Sequence, residues 1–115
     1  MGEGIFIRDN IKGGALTETT LLVLLAVHRP NHGYGIMQFI EKETGGRVML
    51  GAGTLYGAIN ALVKKKWIVP LNREADGKKK EYVITDAGKQ KVAGELKRMG
   101  EVLKLALTIE EDRRE

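Results

Sequence analysis

Tyr56, Asn60 and Lys64 recur every four residues within the stretch Gly51 to Ile68, and on a helix they share one face with Gly57. Asn can hydrogen-bond an adenine edge at two points and Lys can reach guanine or a phosphate, so this face suits a helix lying in a groove of DNA. The opposite face carries Leu55, Ala58, Ile59 and Leu62, the spacing of a stripe packed on a core. An ordinary amphipathic helix with a sparse polar side would show the same stripe, so the surrounding chain has to decide.

Other groupings resemble chemistry without assembling it. Gly51, Gly53 and Gly57 suggest a nucleotide loop, but the third glycine falls one position late for the dinucleotide fingerprint and no strong strand precedes them. His28 and His32 are four apart, yet Pro30 interrupts the helix that would align them as metal ligands. His32 fits better as a hydrogen-bonded residue at the start of a helix. With no cysteine, paired carboxylates, nucleophile elbow or phosphate loop, the sequence points to neither an enzyme nor a metal or cofactor protein.

The chain has 115 residues, enough for one domain with its own core, and 43% hydrophobic with 30% charged residues is the balance of a globular protein. Its longest apolar run, Leu21 to Val27, is far too short to span a membrane, and charges at Glu3, Arg8, Asp9 and Lys12 break any signal-peptide core. A cytoplasmic protein is expected. The net charge of +4 is unevenly placed: residues 1–63 are neutral, 64–98 carry +6 and 99–115 carry −2. Positive charge concentrated in one third of the chain is the footprint of a polyanion binder, although a solvated lysine face would also produce it.

These groups need elements to hold them. Residues 1–14 read as an N-terminal arm with Ile5, Phe6, Ile7 and Ile11 available to dock elsewhere. Thr17 caps a first helix to about His28, apolar nearly all round and therefore central. A second helix runs from Gly33 to Glu43, with Ile36, Met37 and Ile40 inward and Gly45 as its stop. Val48 to Leu50 reads as a short extended piece able to pair with a later strand. The Tyr56 helix follows, starting near Ala52. Ile68 to Arg73 and Lys79 to Ile84 then form a hairpin around the turn signal Asp76-Gly77, with Lys78, Lys79 and Lys80 at its tip, placed to hold phosphates. Thr85 caps a last helix from Asp86 to about Ile109. In it Val92, Leu96, Met99, Leu103 and Ala106 repeat at alternating spacings of four and three, a heptad seam that calls for a second copy of the helix. Val102, Leu105 and Ile109 form another apolar line that could take the partner's arm.

The expected fold is mainly α with a small β-hairpin wing. It comprises an arm (1–14), a winged helix-turn-helix domain (15–85) and a C-terminal dimerisation helix (86–115). Three blocks of sequence sharpen this: His32-Gly33-Tyr34-Gly35-Ile36, then Gly53-Thr54-Leu55-Tyr56, then Lys80-Glu81-Tyr82-Val83-Ile84-Thr85 with Ala87-Gly88. In that order and at those distances they resemble the signature of PadR-type transcriptional regulators, in the branch with a short C-terminal segment. The resemblance implies a homodimer that binds double-stranded DNA, usually a repressor released by a small hydrophobic or phenolic effector. It places Thr54 and Tyr56 on the recognition helix, Tyr34 at the DNA backbone, and Lys79 and Lys80 on the wing. Where the family commonly has Ser-Pro this chain has Gly51-Ala52, and where some drug-responsive members carry a tryptophan it has Met99, which with Leu103 is the candidate lining of an effector pocket. A winged-helix module that uses the same face on an acidic protein partner is the alternative expectation.

Overall fold

The computed structural model describes residues 14–71 and 80–114. Helix α1 (Glu18–Ala26) begins where the Thr17 hydroxyl accepts the Thr20 N–H at 3.1 Å. It ends two residues earlier than the sequence suggests, since the His28 ring turns back to the Leu24 carbonyl at 3.0 Å. Strand β1 (Asn31–His32) leads directly into α2 (Gly33–Glu43), whose bounds match the sequence reading. Its end is a Schellman closure: the Gly46 N–H reaches the Glu41 carbonyl and the Gly45 N–H the Lys42 carbonyl, with both glycines at positive φ.

Helix α3 (Ala52–Lys64), strands β2 (Ile68–Leu71) and β3 (Glu81–Ile84), and helix α4 (Asp86–Arg114) complete the described chain. The strands form a three-stranded antiparallel sheet in the order β1-β3-β2, with Ile68 opposite Ile84 and Asn31 opposite Tyr82. Pro70 is tolerated because β2 is an edge strand, where a missing N–H breaks no ladder.

Val48 to Leu50 corrects the sequence reading. This segment is not a strand, and the second edge of β3 is taken by Asn31 and His32 instead. The Val48 N–H is satisfied by the Thr44 hydroxyl at 3.1 Å, which bends the segment away from any ladder, while Val48 and Leu50 pack against the core. Arg47 in the same turn pairs with Glu18, clipping the start of α1 to the approach to α3. The expected arm up to residue 13, the Asp76-Gly77 turn, Lys78 and Lys79 lie outside the described residues.

One core joins all the helices and the sheet: Val23, Leu24 and Val27 of the α1 region, Ile36 and Ile40 of α2, Leu55, Ile59 and Leu62 of α3, and Ile68, Tyr82 and Ile84 from the sheet are buried. Val92 is buried with them, so the root of α4 belongs to this packing. From Leu96 onward the large apolar residues of α4 are exposed. With 29 residues at about 1.5 Å each, α4 runs for roughly 43 Å and accounts for the elongated 63 × 35 × 26 Å outline.

Candidate nucleic-acid interface

The inward face of α3 fixes its outward face. Leu55, Ile59 and Leu62 are fully enclosed, which leaves Thr54, Tyr56, Gly57, Asn60 and Lys64 exposed, with no acidic residue anywhere on the helix. Gly51 supplies the N-cap without a side-chain hydrogen bond, as expected where the usual Ser is missing. Tyr56 leans across to α2: its hydroxyl lies where a Cβ at Gly33 would collide with it, while 44% of the residue stays exposed. Gly33 is followed by Tyr34, the most exposed aromatic among the described residues at 61%, so two candidate contacts from different helices fall near one another.

A backbone device sets the start of α2. Asn31 accepts the His32 N–H at 2.9 Å and donates to the Ala26 carbonyl at 3.2 Å, tying the end of α1 to the turn. The His32 Nδ1 accepts the Gly35 N–H at 3.1 Å and caps the helix. Any Cβ at Gly35 would clash with the Asn31 side chain. His28 and His32 are thus occupied with backbone groups, and among the described residues no cluster of His, Cys, Asp or Glu could hold a metal ion. Burial, with the nearby Tyr56, pushes the Tyr82 hydroxyl above its ordinary range, so the tyrosine behind this surface stays neutral.

The far end of α3 closes on a left-handed residue that is not glycine. Lys66 has φ 65°, its N–H reaches the Val63 carbonyl, and the Trp67 N–H reaches the Leu62 carbonyl. The Lys65 and Lys91 ammonium groups each lie over the Trp67 ring, 5.4 Å from its centroid. Lys80 is exposed at the entrance to β3.

On α4, the seam read from sequence divides. Val92 faces the domain's own core and is unavailable to a partner, whereas Leu96, Met99, Leu103 and Ala106 are exposed, together with Val102, Leu105, Leu107 and Ile109. Met99 and Leu103 stand on the bare side of a single helix, so an enclosed effector pocket there requires a second surface.

Sequence reasoning missed Glu95, which is only 5% exposed. Its carboxylate accepts from the Arg98 guanidinium at 2.7 Å and the Leu16 N–H at 3.2 Å, and Lys91 lies 3.6 Å away while donating to the Gly14 carbonyl. Burial alone would raise its pKa, but the Arg98 and Leu16 hydrogen bonds and the two cations hold it below the usual carboxylate value. The signal for it was a Glu between cations at i−4 and i+3 on the same helix face.

The family model for the "Transcriptional regulator PadR-like family" matches residues 21–94, a span from within α1 to the root of α4. The chain belongs to the PadR-like family of transcriptional regulators. Among solved structures it is similar to a PadR family transcription regulator from Clostridium difficile, at 20% identity and TM-score 0.68 over 81% of this chain and 98% of that one. A transcriptional regulator from Clostridium thermocellum matches at 23% identity and TM-score 0.67, over 87% of this chain and 96% of the other. Bacillus subtilis PadR, in complex with operator DNA, matches at 23% identity and TM-score 0.58 over 70% of this chain and 47% of that one. These likenesses establish the winged helix-turn-helix fold. An uncharacterized 37.1 kDa protein in a Streptomyces fradiae transposon is 39% identical over 74 residues, 64% of this chain. This chain spans about a fifth of that relative's length. Among the described residues of this PadR-like chain, no helix is long and apolar enough to cross a membrane.

Proposed function

We propose that this PadR-like regulator is a homodimer that binds double-stranded DNA in a sequence-specific manner and acts as a repressor released by a small hydrophobic or phenolic effector. The observation that carries the reading is the outward face of α3, where Tyr56, Gly57, Asn60 and Lys64 are exposed together and no acid accompanies them. Asn60 reads base edges and Lys64 reaches guanine or a phosphate beside it, while Thr54, Tyr34 and the wing lysines 78 to 80 hold the backbone. The operator complex of Bacillus subtilis PadR supports the same use of the fold.

Two copies join through Leu96, Met99, Leu103 and Ala106 of α4, and the apolar space left between them around Met99 and Leu103 takes the effector. The pairing places two α3 helices on half-sites about one helical turn apart.

The test is a salt titration of the intact chain on a duplex it selects from a randomised pool and on a scrambled duplex. The affinity for both falls steeply with salt, and the selected duplex retains an advantage of at least about 10³. Absence of duplex binding at low salt, with retention of an acidic protein partner, contradicts the DNA reading.

A further inference from the structure

Thr85 lies between the exit of α3 and the entry of α4 and holds both. Its hydroxyl donates to the Lys66 carbonyl at 2.8 Å and accepts the Gly88 N–H at 3.0 Å, while its own N–H donates to the Trp67 carbonyl at 2.9 Å. Next to it, the Ile84 N–H reaches the Val27 carbonyl, so the end of α1 is fastened to the same point. Gly88 allows this closeness, since a Cβ there would collide with the Trp67 carbonyl and the Ile84 side chain. A second tie runs beside it, since Lys65 at the end of α3 and Lys91 on α4 both lie over the Trp67 ring. Lys66 keeps its left-handed backbone within this over-determined setting.

An ordinary helix cap would satisfy Gly88 and stop there. The donor half of the Thr85 hydroxyl instead captures a carbonyl in the turn that closes α3, 19 residues away in sequence. Thr85 is therefore both the first cap of α4 and a strut to α3. Leverage makes this matter: α3, with 13 residues, is about 20 Å long, so a tilt of about 10° at its end moves the other end by roughly 3.5 Å. A displacement of that size exceeds what a base-edge hydrogen bond tolerates.

We propose that Thr85 is a positioning residue for DNA reading: its hydroxyl couples the direction of α3 to that of α4, so that the paired α4 helices set the separation and tilt of two α3 helices on the duplex. The inference rests on the dimeric DNA-binding reading above and adds to it the place where the two functions are joined.

Three variants of the intact chain separate the strut from the cap. Thr85→Asp still caps α4 but has no proton for the Lys66 carbonyl. Thr85→Ser keeps both roles, and Thr85→Val loses both. Each is tested on the duplex selected by the unaltered chain and on versions of it with one to three base pairs added between the half-sites. These duplexes differ little in charge, so the ratio between them reports geometry rather than the added carboxylate.

The expected result is that Thr85→Asp remains folded and dimeric but loses about tenfold in preference for the original spacing. Thr85→Ser retains that preference. Unchanged spacing preference in both Thr85→Asp and Thr85→Val overturns the proposal and leaves Thr85 as a cap alone. Loss of affinity in equal proportion on all spacings overturns it as well. Failure of the unaltered chain to bind any duplex is a separate outcome, which removes the DNA reading itself and this proposal with it.

Discussion

Asn60 and Lys64 sit one turn apart on the exposed side of α3, and their different chemistry predicts different losses. Asn60→Ala should cost about 1–3 kcal/mol on a selected duplex and little on a scrambled one, because a bidentate contact to a base carries sequence information. Lys64→Ala should weaken both duplexes where it meets phosphate, lowering the salt slope by about 1. Fluorescence anisotropy on the two duplexes at several salt concentrations checks the pair. Lys66 gives a prediction of opposite sign: it occupies a left-handed position where glycine carries no Cβ penalty, so Lys66→Gly should raise stability by about 1 kcal/mol in urea unfolding. At this scale the sequence was legible wherever a residue type implied its own partner. The caps Thr17, His32 and Thr85 stood where a helix start needed an acceptor. The leaning of Tyr56 onto Gly33 was not legible, since nothing in a spacing pattern says that two helices cross there.

The elements with the clearest punctuation were the ones the sequence delimited well. Glycines close α2, which has the expected bounds, and α3 starts at Ala52 as expected. Strand β1 escaped because two residues have no period, and Val48 to Leu50 took its place on the strength of composition alone. The root of α4 escaped for a different reason. A heptad pattern treats Val92 and Leu96 alike, and only the packed structure shows that Val92 and Glu95 face the domain while Leu96 does not. Glu95 makes this root sensitive to acid. Its folded-state pKa lies below the ordinary carboxylate value of 4.5, so its stabilisation is present above that value and is lost as pH falls through the folded one. Urea unfolding from pH 7 down to pH 3 should show that loss, and Glu95→Gln should start less stable at pH 7 and lose less below pH 4.5.

At the scale of the molecule, a compact domain carries a helix whose outer half is covered by little among the described residues. Leu96, Met99, Val102, Leu103, Leu105, Leu107 and Ile109 are all exposed in one copy, an arrangement that a second copy relieves. Leu103→Glu should therefore shift the protein to monomers in sedimentation velocity, reduce helicity through α4 and weaken binding to a two-half-site duplex much more than to a single half-site. The whole-chain charge pattern was legible from the start, since the +6 of residues 64–98 begins at the end of α3 and runs through the wing. Its geometric meaning depended on the fold, which puts the end of α3, the wing strands and the root of α4 next to one another. The most direct test of the account is a hydroxyl-radical footprint of the intact chain on a duplex it has selected, with Asn60→Ala alongside. Two protected patches on one face of the duplex, centred about 10–10.5 base pairs apart and both weakened by Asn60→Ala, are the predicted result. A single patch, or two patches indifferent to Asn60, would contradict it.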